Sequence, residues 1–210
     1  MRYVIGDIHG CLKSLKKLMR KLPLKSEDEL IFVGDYIDRG SDSKGVIEYL
    51  IGLSKEYSCT FLRGNHEQML LDYLDDKKMG KIWYLNGMDA TLDSYGNINL
   101  IPKEHLDFFR NTEFYYQTGD YLVVHAGVHP GKPIEEQDEM ELIWIREEFI
   151  YCGKPLPQNE IIIVFGHTPF LDGPYVDKTK IGIDTGCVYG GKLSSIRLED
   201  RKVFQVNCSR

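Results

Sequence analysis

Carboxylate, imidazole and amide side chains recur beside glycine in five short segments of this chain. In chain order the segments are GDIHG at Gly6–Gly10, GDYIDRG at Gly34–Gly40, GNHE at Gly64–Glu67, HAG at His125–Gly127 and GHT at Gly166–Thr168. Each follows, directly or nearly so, an apolar run that is typical of a buried strand. Oxygen and imidazole ligands together suit divalent ions such as Mn, Fe or Zn. The pattern therefore predicts a metal site built from one loop per strand.

The first segment places Asp7 and His9 two residues apart, directly after a strand. In extended backbone this spacing puts both side chains on one side. The flanking glycines allow the backbone to turn tightly and to approach a ligand. The same residues could instead form a simple turn, in which Asp7 caps the helix that begins near Cys11. On this segment alone, both interpretations stay open.

The second segment is more specific. Asp35 ends a strand, where its carboxylate could bridge two metal ions, and Asp38 and Arg39 follow in a loop closed by Gly40. An arginine near a metal centre is expected to hold a phosphate through two parallel N–H donors. An Asp–Arg surface pair would explain Asp38 and Arg39, but not the repeated glycine–aspartate opening.

Four of the six histidines lie within the five segments. The amide oxygen of Asn65 can bind a metal ion without adding charge, and His66 beside it could be a ligand or a general acid. His125 and His167 each follow an apolar strand directly. This concentration favours metal binding over four unrelated structural histidines.

The composition indicates an ordinary folded protein. The chain has 210 residues, of which 42% are hydrophobic and 28% charged. It contains no apolar run of about 18 residues, so we expect no membrane span. The N-terminus lacks an apolar signal core, which makes a cytoplasmic location the expectation. The net charge of -6 argues against a general nucleic-acid binder but does not exclude nucleotides.

The five cysteines are scattered along the chain, and no C-x-x-C pair is present. This spacing disfavours a zinc ribbon or a redox dithiol. We expect these cysteines to be reduced and mostly structural.

Strands and helices alternate along most of the chain. The apolar patterns predict strands at residues 3–5, 30–33, 59–62, 121–124 and 161–165, and helices at 11–22, 43–54, 67–74, 103–110 and 135–150. Residues 180–183, 192–198 and 203–206 are typical of antiparallel β-structure. This order predicts a layered α/β fold with a mixed sheet or a pair of sheets. Residues 75–100 are less regular, and we interpret them as a cap or lid within a single catalytic domain, residues 1–210.

The order GD-x-HG, GD-x-x-DRG, GNHE, H-x-G and GH resembles the phosphoprotein phosphatase branch of the calcineurin-like metallophosphoesterases. The chain looks most like the short bacterial and phage serine/threonine protein phosphatases, and the symmetrical diadenosine tetraphosphate hydrolases share the same core. The resemblance extends from Asp7 to about Leu193. It implies a layered α/β/β/α fold, with mixed β-sheets flanked by helices.

The resemblance also implies roles for matching residues. It implies that one metal ion is held by Asp7, His9 and Asp35. A second would be held by Asp35, Asn65, His125 and His167, with Asp35 bridging the two ions. His66 would be the general acid, oriented by Asp38, and Arg39 would hold the phosphate. The segment around Arg146 resembles the position of a second phosphate-binding arginine. Tyr189 would line the site.

These implications predict a dinuclear metal-dependent phosphoesterase with two divalent ions, Mn ahead of Fe or Zn. The preferred function is a serine/threonine protein phosphatase that hydrolyses phosphomonoesters by attack of metal-activated hydroxide. Chain length favours it, because the tetraphosphatases are usually longer. The alternative is symmetrical hydrolysis of diadenosine tetraphosphate, and a less favoured one is an inactive binding protein on the same fold.

The expected partner is accordingly a phosphoprotein, a phosphopeptide or a dinucleoside polyphosphate. We expect neither nucleic acid nor a membrane as a partner. The sequence leaves the oligomeric state open.

Overall fold

Short apolar segments form two five-stranded sheets in the computed structural model, which describes residues 1–154, 156 and 161–209. Within these ranges the strands are β1 (Arg2–Ile5), β2 (Glu29–Phe32), β3 (Ser58–Phe61), β4 (Tyr115–Thr118), β5 (Tyr121–Val124), β6 (Ile162–Phe165), β7 (Tyr175–Val176), β8 (Lys180–Gly182), β9 (Lys192–Arg197) and β10 (Lys202–Asn207). The strand order is β10-β9-β1-β2-β3 in the first sheet and β4-β5-β6-β8-β7 in the second.

Each sheet contains a group of three parallel strands. In the first sheet, β1, β2 and β3 run parallel, and β9 and β10 add on in antiparallel fashion. In the second, β5, β6 and β8 run parallel, and β4 and β7 are antiparallel edge strands. Because the carboxyl ends of parallel strands meet at one edge of a sheet, their following loops are brought together.

The helices lie on the outer faces of the two sheets or between strands. The described ranges contain α1 (Leu12–Lys21), α2 (Ser43–Leu53), α3 (Asn65–Asp75), α4 (Gly80–Leu85), α5 (Met88–Tyr95), α6 (Lys103–Arg110), α7 (Glu139–Trp144) and α8 (Glu147–Ile150). None of these helices has both the length and the apolar character needed to cross a membrane.

The alternation of side chains along the strands builds the layers. In β1, Val4 points into a core shared by both sheets, where Val164 of β6 also lies. Its neighbours Tyr3 and Ile5 point the other way, into a core with α1, α2 and α3. A third core joins the second sheet to α7 and α8, where Phe149 is fully buried. The expected fold of two mixed sheets flanked by helices is confirmed.

Residues 135–150 do not form the single helix that their periodicity predicts. The Asp138 carboxylate accepts the N–H of Met140 and starts α7 one turn late. The backbone then becomes extended at Ile145, with ψ 145°, and Arg146 also leaves helical geometry before α8 begins. The prediction was wrong because apolar spacing does not register a local side-chain cap or a break of two residues.

The prediction of purely antiparallel structure at residues 180–183 was also wrong. β8 pairs parallel with β6 and antiparallel only with the short edge strand β7. An apolar run does not reveal the direction of its neighbours. The consequence matters for the site, because the carboxyl end of β8 joins the ends of the other parallel strands.

Residues 75–100 are more regular than the sequence suggested. They form α4 and α5 together with short 3-10 turns at Lys77–Met79 and Ile98–Leu100. Trp83 of α4 is fully buried, as is Thr91 of α5.

Candidate active site

The predicted site residues follow the carboxyl ends of parallel strands from both sheets. After β1 come Asp7 and His9, after β2 Asp35, after β3 Asn65 and His66, after β5 His125, and after β6 His167. All seven of these side chains are buried. Residues from opposite sheets are in direct contact, since the N–H of His167 donates to Asp7 Oδ2 at 2.9 Å.

The backbone adopts an unusual conformation at these loops. Six non-glycine residues of the described ranges have positive φ, and five of them are predicted site residues: His9, Asp35, Asp38, Arg39 and His167. Residues other than glycine rarely adopt a positive φ, and this conformation persists where the surrounding structure enforces it. The strain therefore concentrates where the side chains converge.

Two glycines allow the loops to approach this closely. A Cβ atom at Gly64 would collide with Asp35 Oδ1, and one at Gly166 would collide with Asp7 Oδ1. Both collisions involve a carboxylate that points into the site. These glycines are therefore required by the packing around the two aspartates.

Asp35 lies at the centre of the cluster and divides its two oxygens between two groups. Its Oδ2 lies 3.4 Å from His9 Nε2, and its Oδ1 lies 3.4 Å from His125 Nε2. Asp35 also belongs to both sets of potential metal ligands found here, one with His9 and His66 and one with His125 and His167. The geometry is that of a carboxylate placed between two positions for a cation.

The histidine hydrogen bonds fix which ring nitrogen faces the cluster. His9 Nδ1 donates to the carbonyl of Ile37 at 2.9 Å, and His125 Nδ1 donates to the carbonyl of Val33 at 2.8 Å. In a neutral imidazole the other nitrogen then carries a lone pair. Each Nε2 lies 3.4 Å from an oxygen of Asp35.

Acceptor atoms face one another in this cluster without a proton between them. The Nε2 of His125 lies 3.1 Å from Asn65 Oδ1, in addition to its approach to Asp35. Asp7 Oδ1 and His167 Nε2 are buried and lack a hydrogen-bond partner among the described residues. Buried acceptors left in this way cost free energy unless a cation or a donor satisfies them. The donor set therefore fits divalent metal ions.

The pKa values separate one histidine from the other three. Burial lowers the pKa of His9 to about 3 and also lowers those of His125 and His167. For His66, burial likewise opposes the charged form, but the nearby Asp35 carboxylate and other contacts outweigh it and raise its pKa. Burial thus favours the neutral, metal-binding form of these three histidines, whereas the contacts of His66 favour its charged form.

The pKa values of the two central carboxylates shift in opposite directions. Burial, followed by the charges of Asp184 and Asp35, raises the pKa of Asp7 well above its usual value. Burial opposes ionisation of Asp35 too, but the surrounding histidines, His125 first, bring its pKa below the usual range. A bound cation would relieve the repulsion between these acids.

Asp38 holds His66 in place through a buried network. His66 Nδ1 donates to Asp38 Oδ2 at 2.6 Å, and the indole Nε1 of Trp83 donates to the same oxygen at 2.7 Å. The hydroxyl of Thr91 donates to Asp38 Oδ1 at 2.6 Å. Trp83 and Thr91 had no assigned role in the sequence, and no local motif signals it, since both lie in the segment interpreted as a lid.

Glu67 is a second residue whose part the sequence did not reveal. Its fully buried carboxylate accepts the backbone N–H groups of Asp35 at 2.9 Å, Tyr36 at 2.8 Å and Gly64 at 3.0 Å. Burial raises the pKa of Glu67 to about 7. The sequence signal that could have indicated this role is its place in the GNHE segment, next to His66. Glu67 fastens the loop after β2 to the start of α3.

Asp184 follows the parallel strand β8, as the other acidic residues of the cluster follow β1 and β2. It is buried, and burial raises its pKa to about 6. Its Oδ1 accepts the N–H of Gly186 at 2.9 Å. The sequence offered the same pattern here as at β1 and β2, an apolar strand followed by aspartate and glycine, but the segment had been interpreted as antiparallel.

The two predicted arginines differ in their surroundings. Arg39 Nη1 donates to His9 Nε2 at 2.8 Å, and its guanidinium carbon lies 5.6 Å from the centre of the Tyr189 ring. Arg146 is exposed between α7 and α8. Burial is the main reason for the low pKa of His167, and the charge of Arg146 contributes to it. Both guanidinium groups thus act on the cluster.

Two pockets lie beside the cluster. The first, the Trp144 pocket, has a volume of about 390 Å³ and includes Met69, Met79, Ile82, Met140 and Trp144 in its lining. The ring centre of Trp144 lies 6.1 Å from that of His167. The second, the Arg39 pocket, has a volume of about 400 Å³ and includes Leu12, Arg39, Ser41, Asp42 and Val188. The Trp144 pocket therefore lies on the His167 side of the cluster, and the Arg39 pocket lies on the His9 side.

The fold and this cluster together define a metallophosphoesterase architecture, and comparison with known proteins agrees. The family model for calcineurin-like phosphoesterases matches residues 2–184. The chain therefore belongs to the calcineurin-like phosphoesterase family.

Its relatives carry different names. A bis(5'-nucleosyl)-tetraphosphatase PrpE [asymmetrical] from Oceanobacillus iheyensis is 30% identical, over 97% of this chain and 90% of its own. Serine/threonine-protein phosphatase 1 of Salmonella typhimurium is 32% identical, over 94% of this chain and 91% of its own. A crystal structure of a proposed diadenosine tetraphosphatase has a TM-score of 0.78 at 26% identity, covering 100% of this chain and 94% of that one.

Proposed function

We propose that this protein is a dinuclear metal-dependent phosphohydrolase whose substrates are dinucleoside polyphosphates. Residues 1–210 would form one catalytic domain in which residues 75–100 serve as the cap. Membership of the family supports the phosphoesterase chemistry. The choice of substrate depends on the two pockets beside the cluster.

The metal ligands we propose are the converging acceptors. One ion would be held by Asp7, His9 and Asp35, and the second by Asp35, Asn65, His125 and His167. The division of the Asp35 oxygens between His9 and His125 supports this assignment. When bound, the two ions would supply positive charge for the phosphate oxygens and acidify a water molecule as the nucleophile.

His66 would act as the general acid. Its raised pKa, its buried Nε2 without a hydrogen-bond partner and its Asp38 hydrogen bond favour an imidazolium with an N–H available to the site. Such a group can protonate the departing oxygen as the bond to phosphorus breaks. Asp38 would keep the ring in one orientation and stabilise its charge.

Arg39 and Arg146 would hold the phosphate. Arg39 presents a guanidinium at the edge of the cluster, where its N–H donors can bind two oxygens of one phosphate. Its approach to Tyr189 limits the directions that the side chain can take. Both positive charges would neutralise oxygen charge that shifts as the bond breaks.

The observation that carries the substrate choice is the Trp144 pocket. It combines the indole ring of Trp144, whose centre lies 6.1 Å from that of the His167 ring, with four apolar side chains and with Gln68 and Asp72. Aromatic rings and methionine side chains are suited to the flat face of a nucleobase. A polyphosphate chain at the cluster could thus place one nucleoside in the Trp144 pocket and extend the other end toward the Arg39 pocket.

A second candidate substrate is phosphoserine or phosphothreonine in a protein. The Salmonella relative, which is named as a serine/threonine-protein phosphatase, favours it. Chain length does not favour it over the nucleotide, because the tetraphosphatase relative aligns over 90% of its own length with this chain.

The test is a comparison of substrates with Mn²⁺-reconstituted protein. We expect kcat/KM for diadenosine tetraphosphate to exceed that for a phosphothreonine peptide by at least about tenfold. The products, separated by chromatography, show whether cleavage is symmetrical or asymmetrical. The reverse preference would support the protein phosphatase. Absence of turnover on both, with two ions bound, would support an inactive binding protein.

Variants of the Trp144 pocket connect the preference to the structure. Trp144→Ala, and separately Ile82→Gln, should lower kcat/KM for the nucleotide but leave that for p-nitrophenyl phosphate nearly unchanged. Tyr151→Ala is the matched control, because Tyr151 is 81% exposed and lies outside this pocket. An equal loss on both substrates would contradict nucleobase binding there.

A further inference from the structure

Three of the five cysteines meet in space although they are far apart in the sequence. The Sγ atoms of Cys11, Cys187 and Cys208 all lie within 4.8 Å of one another. Cys11 and Cys187 are buried, and Cys208 is partly buried. Their spacing in the sequence had suggested isolated structural cysteines, because no two of them form a local pair.

Each thiol is carried by a backbone segment with fixed hydrogen bonds. The N–H of Cys11 donates to the carbonyl of Ile8 at 3.1 Å, just before α1. Cys187 begins a 3-10 turn that follows β8 and Asp184. The N–H of Cys208, just after β10, donates to the carbonyl of Gly191 at 3.0 Å. The three sulfur atoms are therefore held in a defined triangle.

A fourth polar atom adjoins this triangle. The Cys187 thiol adjoins those of Cys11 and Cys208, and the hydroxyl of Ser14 lies near it. Ser14 is fully buried, and its Oγ also accepts the N–H of Ser209 at 2.9 Å. Three sulfur atoms at such distances can supply three of the four donors around a tetrahedral ion.

We propose that Cys11, Cys187 and Cys208 bind a thiophilic d¹⁰ metal ion, Zn²⁺ or Cu⁺, at a site separate from the phosphoesterase centre. Thiolate sulfur selects such ions, whereas the carboxylates, amide and imidazoles of the catalytic cluster also accept Mn²⁺. The two sites share no side chain. The different ligand chemistry allows each to be filled and measured without the other.

The structure provides a route for the ion. Cys11, Val188 and Ser209 line the Arg39 pocket, which is open to solvent. A bound ion would connect Cys208, which follows β10, to the loop that carries His9 and to the loop that carries Tyr189. Cys11 lies two residues beyond His9, and Cys187 lies two residues before Tyr189. Binding to the folded chain alone would raise its thermal stability.

The first experiment is a spectroscopic titration of the full chain. The protein is reduced, stripped with a chelator, saturated with Mn²⁺ and then titrated with Cd²⁺ as a thiophilic probe. We expect a thiolate-to-cadmium charge-transfer band that saturates at one equivalent. Displacement by Zn²⁺ or by Cu⁺ then identifies which ion the site prefers. Absence of the band would overturn the proposal.

Matched cysteine variants show which residues give rise to the cadmium band. Cys208→Ala should abolish it, and Cys59→Ala should leave it intact, because Cys59 is partly buried on β3 and lies outside the cluster. A band that survives in Cys208→Ala at full intensity would overturn the proposal.

A second measurement uses the unaltered protein and does not depend on the folding of any variant. Alkylation of each cysteine by iodoacetamide is followed by mass spectrometry, with and without Zn²⁺. At a free Zn²⁺ concentration ten times the Kd, Cys208 should react about tenfold more slowly, and Cys59 at an unchanged rate. Equal reactivity of Cys208 in both conditions would contradict metal binding. Loss of Cys208 reactivity on peroxide treatment alone, without Zn²⁺ protection, would point instead to a disulfide.

Discussion

Trp83 donates its indole N–H to the same oxygen of Asp38 that accepts the proton of His66. The two hydrogen bonds measure 2.7 Å and 2.6 Å, and all three side chains are fully buried. A residue of the cap segment thus fixes the carboxylate that orients the proposed general acid. Residues 75–100 therefore take part in positioning the proposed general acid, through Trp83.

We predict that Trp83→Phe reduces turnover while the protein stays folded. Loss of the indole donor leaves Asp38 freer to move, so that the His66 ring is held less firmly in one orientation. We expect kcat to fall by about 10- to 100-fold on an alkyl phosphate, whose leaving group needs protonation, a modest share of a general-acid contribution. Tyr84→Phe is the control, because Tyr84 is exposed on the same helix. Unchanged kcat in Trp83→Phe would contradict a positioning role.

His66→Asn should retain metal but lose most activity. Without the imidazolium, the departing oxygen leaves unprotonated, so kcat should fall by ~10²–10⁴-fold on a substrate with a poor leaving group. The loss should be smaller for p-nitrophenyl phosphate, whose leaving group needs less protonation. An equal loss on both substrates would argue that His66 is a metal ligand instead, as would a loss of bound metal.

The convergence of the proposed site residues could be predicted from the sequence because the loops that carry them have similar local patterns. Asp7, Asp35 and His125 each stand one to three residues after an apolar strand, and the carboxyl ends of parallel strands meet at one edge of a sheet. The chemistry of each loop was therefore visible without knowledge of the contacts. Asp184 was missed only because the direction of β8 is set by its neighbours.

The residues that support the cluster could not be predicted in the same way. Trp83 and Thr91 reach Asp38 from about 50 positions further along the chain, and their contact depends on how α4 and α5 pack. Helical periodicity reports a buried face but not the polar atom that the face meets. The meeting of Cys11, Cys187 and Cys208 was hidden for the same reason.

A stability prediction concerns Lys180, which is fully buried. Its Nζ donates to the carbonyls of Phe149 at 3.3 Å, Ile150 at 2.7 Å and Cys152 at 2.5 Å. Lys180→Met would remove this donor from all three carbonyls, and we expect a loss of about 3 kcal/mol in the free energy of unfolding. Chemical denaturation measures it. Lys178→Met, at an exposed position nearby, should cost less than about 0.5 kcal/mol.

Asp177 provides a prediction for pH dependence. Burial alone would raise its pKa, but the N–H of Thr179 and further donors, including the hydroxyl of Tyr175, bring it below the ordinary value of 3.8. Its stabilising effect is therefore present above that value and is lost as the pH falls through the folded pKa. The difference in unfolding free energy between the parent protein and Asp177→Asn should be constant near neutral pH and shrink in acid. A difference that grows in acid would contradict this.

The dinuclear assignment is tested most directly by counting bound Mn²⁺ and measuring hydrolysis of diadenosine tetraphosphate in one titration of the chelated protein. We predict two ions per chain and turnover that rises with the second ion, because Asp35 serves both positions. Asp35→Asn should lose both ions and the activity together. Full turnover without metal, or two ions still bound by Asp35→Asn, would contradict the assignment.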